Sequence, residues 1–238
     1  MAEQRWAAAF PWLTETQRSS QLQRLLEIAE VSYRSSATQL RAMGREHEAK
    51  KMDIFALNAR MDLEHPQLAR WLHNATRAVR HAPSRDAVVE RAMANALSLL
   101  AADRGNVQLI DPTTDELKIA VQCGFNREFL DYFAAVSDSG SACGRAATSG
   151  SQIVIDDVNA DSRFAPHRDI AAASGFRAVQ STPLVNHAGR MVGVLSTHYP
   201  SPHHPSAASL QFMLRFAEQI ADIMTGADKS CDGSAYQP

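Results

Sequence analysis

Apolar positions recur at helical spacing through the first part of the chain. Beginning at residue 22 they alternate in steps of four and three, which predicts a helix with an a/d stripe about three heptads long. The stripe consists of Leu22, Leu26, Ala29, Tyr33, Ser36, Leu40 and Met43. Because Ala29 and Ser36 are weak positions, the pattern fits a short bundle helix as well as a coiled coil.

Two further helices are predicted before residue 83. Gly44 interrupts or ends the first helix, and an apolar group at 52–61 follows it. Pro66 fits the first turn of another helix with one apolar face. Residues 1–83 are therefore predicted to form a helical region for dimerisation or partner binding.

The pattern changes after Pro83. Ser84 is a good N-cap for an amphipathic helix, and the period then becomes two in 106–111 and 117–123, which predicts an antiparallel hairpin. The later predicted elements are helices at 126–136, 142–148 and 167–174, strands at 152–155, 177–184 and 191–198, and a closing helix at 206–224.

This order predicts an α+β domain at 84–225, an antiparallel sheet flanked by helices whose irregular middle lies over the sheet as a lid. We expect 226–238 to be a disordered tail.

Composition narrows the class of protein. The 238 residues are 45% hydrophobic and 21% charged, and no apolar run is long enough to span a bilayer. The N-terminus does not read as a signal peptide, and the three cysteines form no CxxC pair. We therefore expect a cytoplasmic protein that does not act at a membrane. The net charge of −2 argues against a nucleic-acid partner.

Charged residues cluster in the predicted lid. Asp157, Arg163, His167 and Arg168 lie close together in sequence, beside a short predicted strand. They either fix the lid by capping and ion pairing, or they face a polar or anionic ligand.

Other candidates are polar or aromatic. Gln180 and Ser181 interrupt an apolar strand, so they bond either a ligand or neighbouring backbone. Phe129, Tyr132 and Phe133 belong either to the core or to a ligand-binding wall. Cys143 lies near the start of a short predicted helix, where it is either a reactive thiol or, as we favour, a small buried residue.

Three segments carry a resemblance to a known family. They read GNVQLIDPTTDELKIAVQCGF at 105–125, ACGRAATSGSQIVIDDVNADSRF at 142–164 and HRDIAAASGFRAVQSTPLVNHAGRMVGVLSTHYPSPHHPS at 167–206. Together they resemble the GAF domain, a small-molecule sensor module, and most of all the GAF domains of bacterial multi-domain sensor histidine kinases. The resemblance covers about 84–225. It implies a ligand pocket between sheet and lid, without identifying the ligand or a cofactor.

The resemblance also defines alternatives. Free methionine sulfoxide reductases, a GAF subfamily, carry a segment like the one around Cys143 and a second essential cysteine, but none occurs in 164–176. No cysteine here follows a histidine as a bilin attachment site requires. His198, His203 and His204 are close enough in sequence for a metal site, but prolines and a lack of nearby acidic ligands favour surface histidines.

We therefore expect a non-enzymatic signalling protein, a homodimer that binds an unknown small molecule in a GAF pocket. Because no output domain follows the closing helix, we expect it to act in trans on a histidine kinase or another regulator. The alternatives are a GAF-type thiol redox enzyme and a structural interaction protein with a vestigial pocket. The candidate pocket residues are Phe129, Tyr132, Phe133, Cys143, Asp157, Arg163, His167, Arg168, Gln180 and Ser181.

Overall fold

The computed structural model describes residues 15–136 and 140–226 of the chain. These residues divide into two compact units, one up to His73 and one from Asn74 onward. The predicted tail at 226–238 lies outside the described residues except for Gly226. Within the described ranges, no helix has the length and apolar character needed to cross a bilayer.

The first unit is helical, as predicted. Helix α1 spans Glu15–Ala42 and helix α2 spans Glu46–Glu64, and the two pack against each other. Helix α3, Pro66–Arg80, begins in the first unit and ends in the second. The rings of Tyr33 and Phe55 lie 5.4 Å apart between α1 and α2, and Arg41 pairs with Asp53 near the turn that joins them.

Small residues are the most deeply buried side chains of α1 and α2. They are Ala37, Ala49, Ala56 and Ala59, each at most 6% exposed. Part of the predicted a/d stripe is half-buried, and its Tyr33 contacts α2. A different row of α1 is left in solvent, since Leu25, Ile28 and Val31 are 42%, 65% and 66% exposed.

The second unit is built on a five-stranded sheet. The strands are β1 Arg104–Ile110, β2 Leu117–Cys123, β3 Ile153–Ile155, β4 Ala178–Val185 and β5 Met191–Tyr199. Their order is β2-β1-β5-β4-β3, and every neighbouring pair is antiparallel. The predicted α+β class and the predicted antiparallel sheet are therefore confirmed.

Two helices cover one face of this sheet. Helix α4, Arg85–Leu100, and the closing helix α8, Ala207–Thr225, contact each other and the strands. Ser84 caps α4 as predicted, because its Oγ accepts from the N–H of Ala87 at 3.1 Å. Phe212 and Phe216 of α8 are fully buried, so this side forms a conventional apolar core.

The other face lies beneath the predicted lid. Its helical elements are α5 Arg127–Tyr132, α6 Ala142–Ser149, a 3₁₀ turn Ala165–His167 and α7 Arg168–Ala173. Helix α5 is shorter than the predicted 126–136. It ends at Tyr132 because the chain then turns back to the sheet, where Val136 forms an antiparallel bridge with Leu117.

Two central strands approach so closely that one position must be glycine. A Cβ added to Gly193 on β5 would lie 2.2 Å from the backbone oxygen of Gln108 on β1. Any side chain there would force β1 and β5 apart. Glycine at this position therefore holds together the two strands that carry most of the polar residues described below.

Candidate functional site

A cavity lies between the lid-side face of the sheet and the lid. Because side chains alternate along a strand, Asn106 and Gln108 of β1 share this face with Ser196 and His198 of β5. Ser181 of β4 joins them. The whole lining consists of Asn106, Gln108, Phe129, Phe133, Ser141, Ala142, Cys143, Phe164, Phe176, Val179, Ser181, Ser196 and His198.

Strand register places three polar residues in one row. Asn106 pairs with Ser196 across β1 and β5, and Ser196 pairs with Ser181 across β5 and β4. The two serine hydroxyls are hydrogen-bonded at 2.7 Å. The floor of the cavity is thus a polar stripe across the middle of the sheet.

Several atoms on this floor have no hydrogen-bond partner among the described residues. They are Asn106 Oδ1, Gln108 Oε1, Gln108 Nε2 and His198 Nδ1. Their residues are at most 5% exposed. Because a buried polar group without a partner costs about 1–3 kcal/mol, four such atoms around one cavity are unusual in a purely structural core.

His198 is held in a neutral state. The ring lies 4.8 Å from that of Phe125 and 4.7 Å from that of Phe176, both edge-on. Burial, aided by the neighbouring Arg104 guanidinium, lowers the pKa of His198 to about 3. At neutral pH its imidazole therefore offers one donor and one acceptor nitrogen and no charge.

Aromatic rings form the wall opposite the polar floor. Phe129 stacks on Phe125 at 3.7 Å and meets Phe133 at 4.7 Å, and Phe164 meets Phe176 edge-on at 6.3 Å. Helix α5 carries Phe129, and Phe133 follows directly at its C-terminal end. The surface of the cavity is thus polar on the sheet side and aromatic on the lid side.

The first turn of α6 closes a third side. Ser141 caps the helix, its Oγ accepting from the N–H of Gly144 at 3.2 Å. Cys143 is buried, with its Sγ 3.5 Å from Ser141 Oγ. Cys123, at the end of β2, is exposed and does not line the cavity.

The cavity is small. The space open to the centre of a water-sized sphere is about 20 Å³, room for roughly one water molecule. A larger molecule would fit only if some of the lining side chains moved.

Ion pairs and hydrogen bonds fasten the lid. Arg177 binds Asp157 through two bonds of 3.1 and 2.7 Å, which lowers the pKa of Asp157. Arg145 donates to Asp161 at 2.7 Å. Burial raises the pKa of Asp161, but this bond and others outweigh it and the net direction is down. Arg168 donates to the backbone oxygens of Val158 and Asp161.

The structure brings together four of the predicted pocket residues. These are Phe129, Phe133, Cys143 and Ser181. Five others belong to the lid without lining the cavity, namely Tyr132, Asp157, Arg163, His167 and Arg168. Gln180 lies on the opposite face of the sheet, because it alternates with Val179 and Ser181 along β4.

Five polar lining residues lie outside the predicted set: Ser141, which caps α6, and four residues on strands, namely Asn106, Gln108, Ser196 and His198. The four strand residues could have been found from the sequence, because they are polar residues at alternate positions of correctly predicted strands.

His198, His203 and His204 are close in sequence but contact different residues in the structure. His198 is buried, His203 stacks on Tyr199 at 3.9 Å, and His204 bonds Asp156 at 2.8 Å. The described ranges contain no group of three or more metal-ligating side chains.

Comparison with known proteins gives a family and a fold. The sequence profile of the GAF domain family matches residues 84–224. No curated protein sequence matches significantly.

Several solved structures share the fold at low identity. A GAF domain from a phosphoenolpyruvate-protein phosphotransferase of Coxiella burnetii is 16% identical with a TM-score of 0.59, covering 69% of this chain and 96% of its own. Free methionine-R-sulfoxide reductase from Neisseria meningitidis is 19% identical with a TM-score of 0.56, and the match covers 69% of this chain and 93% of the reductase. A bacteriophytochrome from R. palustris is 16% identical with a TM-score of 0.53, and the match covers 69% of this chain and 39% of the bacteriophytochrome. Because the profile of the GAF domain family matches more than half of the 238 residues, this chain belongs to the GAF domain family.

Proposed function

We propose that this protein is a regulator that binds a small molecule in the cavity between sheet and lid. The observation that carries the proposal is the cluster of unpartnered atoms on Asn106, Gln108 and His198. Three buried residues with unmet hydrogen bonds around one cavity lower the stability of the empty fold. A bound molecule that pairs with them would recover that stability.

Binding is proposed to act through the strands on the helices of the opposite face. The strands that bear the polar floor also contact α4 and α8 on their other side. The turn between β4 and β5 is tied to the end of α8, since His187 Nδ1 lies 2.7 Å from Asp222 and Asn186 Nδ2 donates to Thr225 at 3.1 Å. A shift of β5 on ligand binding would therefore reach the C-terminal end of α8.

The output is proposed to occur in trans, in a homodimer. The exposed row Leu25, Ile28 and Val31 of α1 is an apolar surface suited to a second helical pair. Receipt of the signal by a histidine kinase or another regulator in the cytoplasm, with neither nucleic acid nor membrane involved, is part of the same proposal.

A thiol redox enzyme is the second candidate, because Cys143 lines the cavity and one solved structure with this fold is a free methionine-R-sulfoxide reductase. We favour the non-enzymatic role because a thiol cycle needs a resolving partner, and Cys123, the only other cysteine among the described residues, is exposed outside the cavity. Turnover of free methionine sulfoxide that disappears in Cys143→Ser would establish the enzyme instead.

A vestigial pocket is the third candidate, favoured by the small volume of the closed cavity. Ligand extraction separates it from the sensor. The full chain is equilibrated with a small-molecule cell extract, washed, denatured, and its released compounds identified by mass spectrometry. A compound released in proportion to protein supports the sensor, and release of nothing above a Gln108→Met control supports the vestigial pocket.

A further inference from the structure

We infer that the cavity is built for a compact, uncharged molecule whose polar edge carries both hydrogen-bond donors and an acceptor, as a primary carboxamide does. This inference rests on the proposed function and assigns the chemical class of its ligand. It follows from the hydrogen bonds that the floor leaves unmade, from the absence of charge in the lining, and from the aromatic wall.

The unmade hydrogen bonds define the polar edge. Asn106 Oδ1 and Gln108 Oε1 are acceptors and each needs a donor, while Gln108 Nε2 is a donor and needs an acceptor. Both ends of the Gln108 amide lack a partner, so rotating that amide changes nothing. A primary carboxamide supplies two N–H donors and one carbonyl acceptor, which matches these three atoms and leaves His198 Nδ1, the fourth unpartnered atom of the floor, to the rest of the molecule.

The lining contains neither an acidic nor a basic side chain apart from His198, and burial keeps that ring neutral. Two cations of this unit are held in pairs, although the buried Nε of Arg145 has no partner among the described residues. Arg145 pairs with Asp161, and Arg104 donates to Asp103 and to the backbone oxygen of Gly175. A charged ligand would lose its hydration here without gaining a counter-charge, and that loss is costly.

The aromatic wall fits the remainder of such a molecule. Phe129, Phe133 and Phe164 already meet each other or their neighbours in tilted and edge-on contacts. A planar ring attached to the carboxamide can take a place in this cluster when α5 moves outward.

One feature of the site favours an anionic ligand instead of an uncharged one. The first turn of α6 points its N-terminus toward the cavity, and helix N-termini attract anions. Ser141 Oγ already accepts from the N–H of Gly144, which occupies one of these donors. A carboxylate probe therefore serves as the alternative in the test.

The test compares matched uncharged and anionic probes. Nicotinamide and nicotinate, and benzamide and benzoate, each share a ring and differ in the group that meets the floor. Binding to the full-length protein at neutral pH is measured by calorimetry and by saturation-transfer NMR. We expect at least one carboxamide to bind, and each carboxylate to bind roughly tenfold or more weakly than its partner.

Two variants locate the binding. Gln108→Met removes the unpaired amide from the floor at similar volume, and it should abolish carboxamide binding. Gln180→Met makes the same change on the opposite face of the sheet, where Gln180 Oε1 is also buried without a partner, and it should leave binding unchanged. Circular dichroism of both variants verifies folding, and the carboxamide-to-carboxylate ratio of the unaltered protein stands whether or not a variant folds.

Three results overturn the inference. If a carboxylate binds as tightly as its carboxamide, the site is an anion site, and the proposed sensor stands while the ligand class falls. If neither carboxamide binds at millimolar concentration but the ligand extraction yields a compound, again only the ligand class falls. If neither binds and the extraction yields nothing, both proposals fall.

Discussion

Tyr132 Oη lies 3.0 Å from His167 Nδ1, joining two lid segments that are 35 residues apart in sequence. The same hydroxyl donates to the backbone oxygen of Pro166 at 3.3 Å. Tyr132 ends α5 and His167 ends the 3₁₀ turn, so one side chain ties the aromatic wall to the charged part of the lid. His167 is 7% exposed whereas Tyr132 is 48% exposed. The tie therefore lies at the boundary between lid and solvent.

Removing this hydroxyl should loosen the lid without unfolding the domain. Tyr132→Phe keeps the ring and loses both hydrogen bonds, at a cost of about 0.5–1.5 kcal/mol in the free energy of unfolding. Amide hydrogen exchange at 163–174 should accelerate. Tyr199→Phe makes the same change in β5, where the hydroxyl is 3.5 Å from Thr197 Oγ1, and should leave exchange in the lid unaltered. Equal acceleration in both variants would contradict the role of Tyr132.

The empty pocket should be more stable without its polar floor. Gln108→Met removes two unpartnered buried atoms, so the free energy of unfolding of the ligand-free protein should rise by about 1–2 kcal/mol in urea denaturation. Gln180→Met should gain less, because Gln180 Nε2 donates to Thr182 Oγ1 and that bond is lost. A loss of stability in Gln108→Met would mean that its amide is already satisfied by bound water.

His198 should make the protein sensitive to mild acid. The pKa of His198 is lowered by burial to about 3 in the fold, against 6.5 for an ordinary histidine, so the unfolded chain binds the proton first. The free energy of unfolding should therefore fall as the pH drops below about 6.5, by at most about 1.4 kcal/mol per unit. The lowered pKa values of Asp157 and Asp161 reduce the free energy of unfolding only at lower pH, below about 3.8.

The pH experiment measures urea denaturation between about pH 4.5 and 6.5. His198→Gln should flatten the slope in this window, and His204→Gln, a change at a histidine whose side chain is 69% exposed, should not. An unchanged slope in His198→Gln would assign the acid sensitivity to another group.

The exposed row on α1 should hold a dimer together. Ile28→Glu places a charge in the middle of that row, so a dimer measured by light scattering at micromolar concentration should become a monomer. Gln23→Glu adds the same charge five residues earlier on α1, about 140° around the helix, and should remain dimeric. A monomer before any substitution would rule out dimeric coupling.

Strand and helix periodicity predicted most of the fold. Ser84 as an N-cap, the hairpin of β1 and β2, and the late strands follow from local signals that tertiary contacts did not override. Helix α5 is shorter than predicted because Val136 pairs with Leu117, a contact between residues that periodicity treats separately.

The site was harder to predict than the fold. The sequence pattern marks Gln180 and Ser181 alike, yet strand alternation lets only one of two neighbours face the lid. The pairing of Ser181 with Ser196 on β5 shows which one does, and register of that kind depends on the assembled sheet. In the sequence the lid charges fit either ion pairing or ligand contact, and in the structure Asp157 pairs with Arg177.

The proposed binding of a small molecule to Asn106, Gln108 and His198 in the cavity of this GAF domain would satisfy buried atoms that otherwise lack partners among the described residues. Its most direct test is a native mass spectrum of the full chain equilibrated with a small-molecule cell extract, recorded beside Gln108→Met. We expect one added mass per protomer on the unaltered protein and none on the variant. Identical spectra for the two proteins would contradict it.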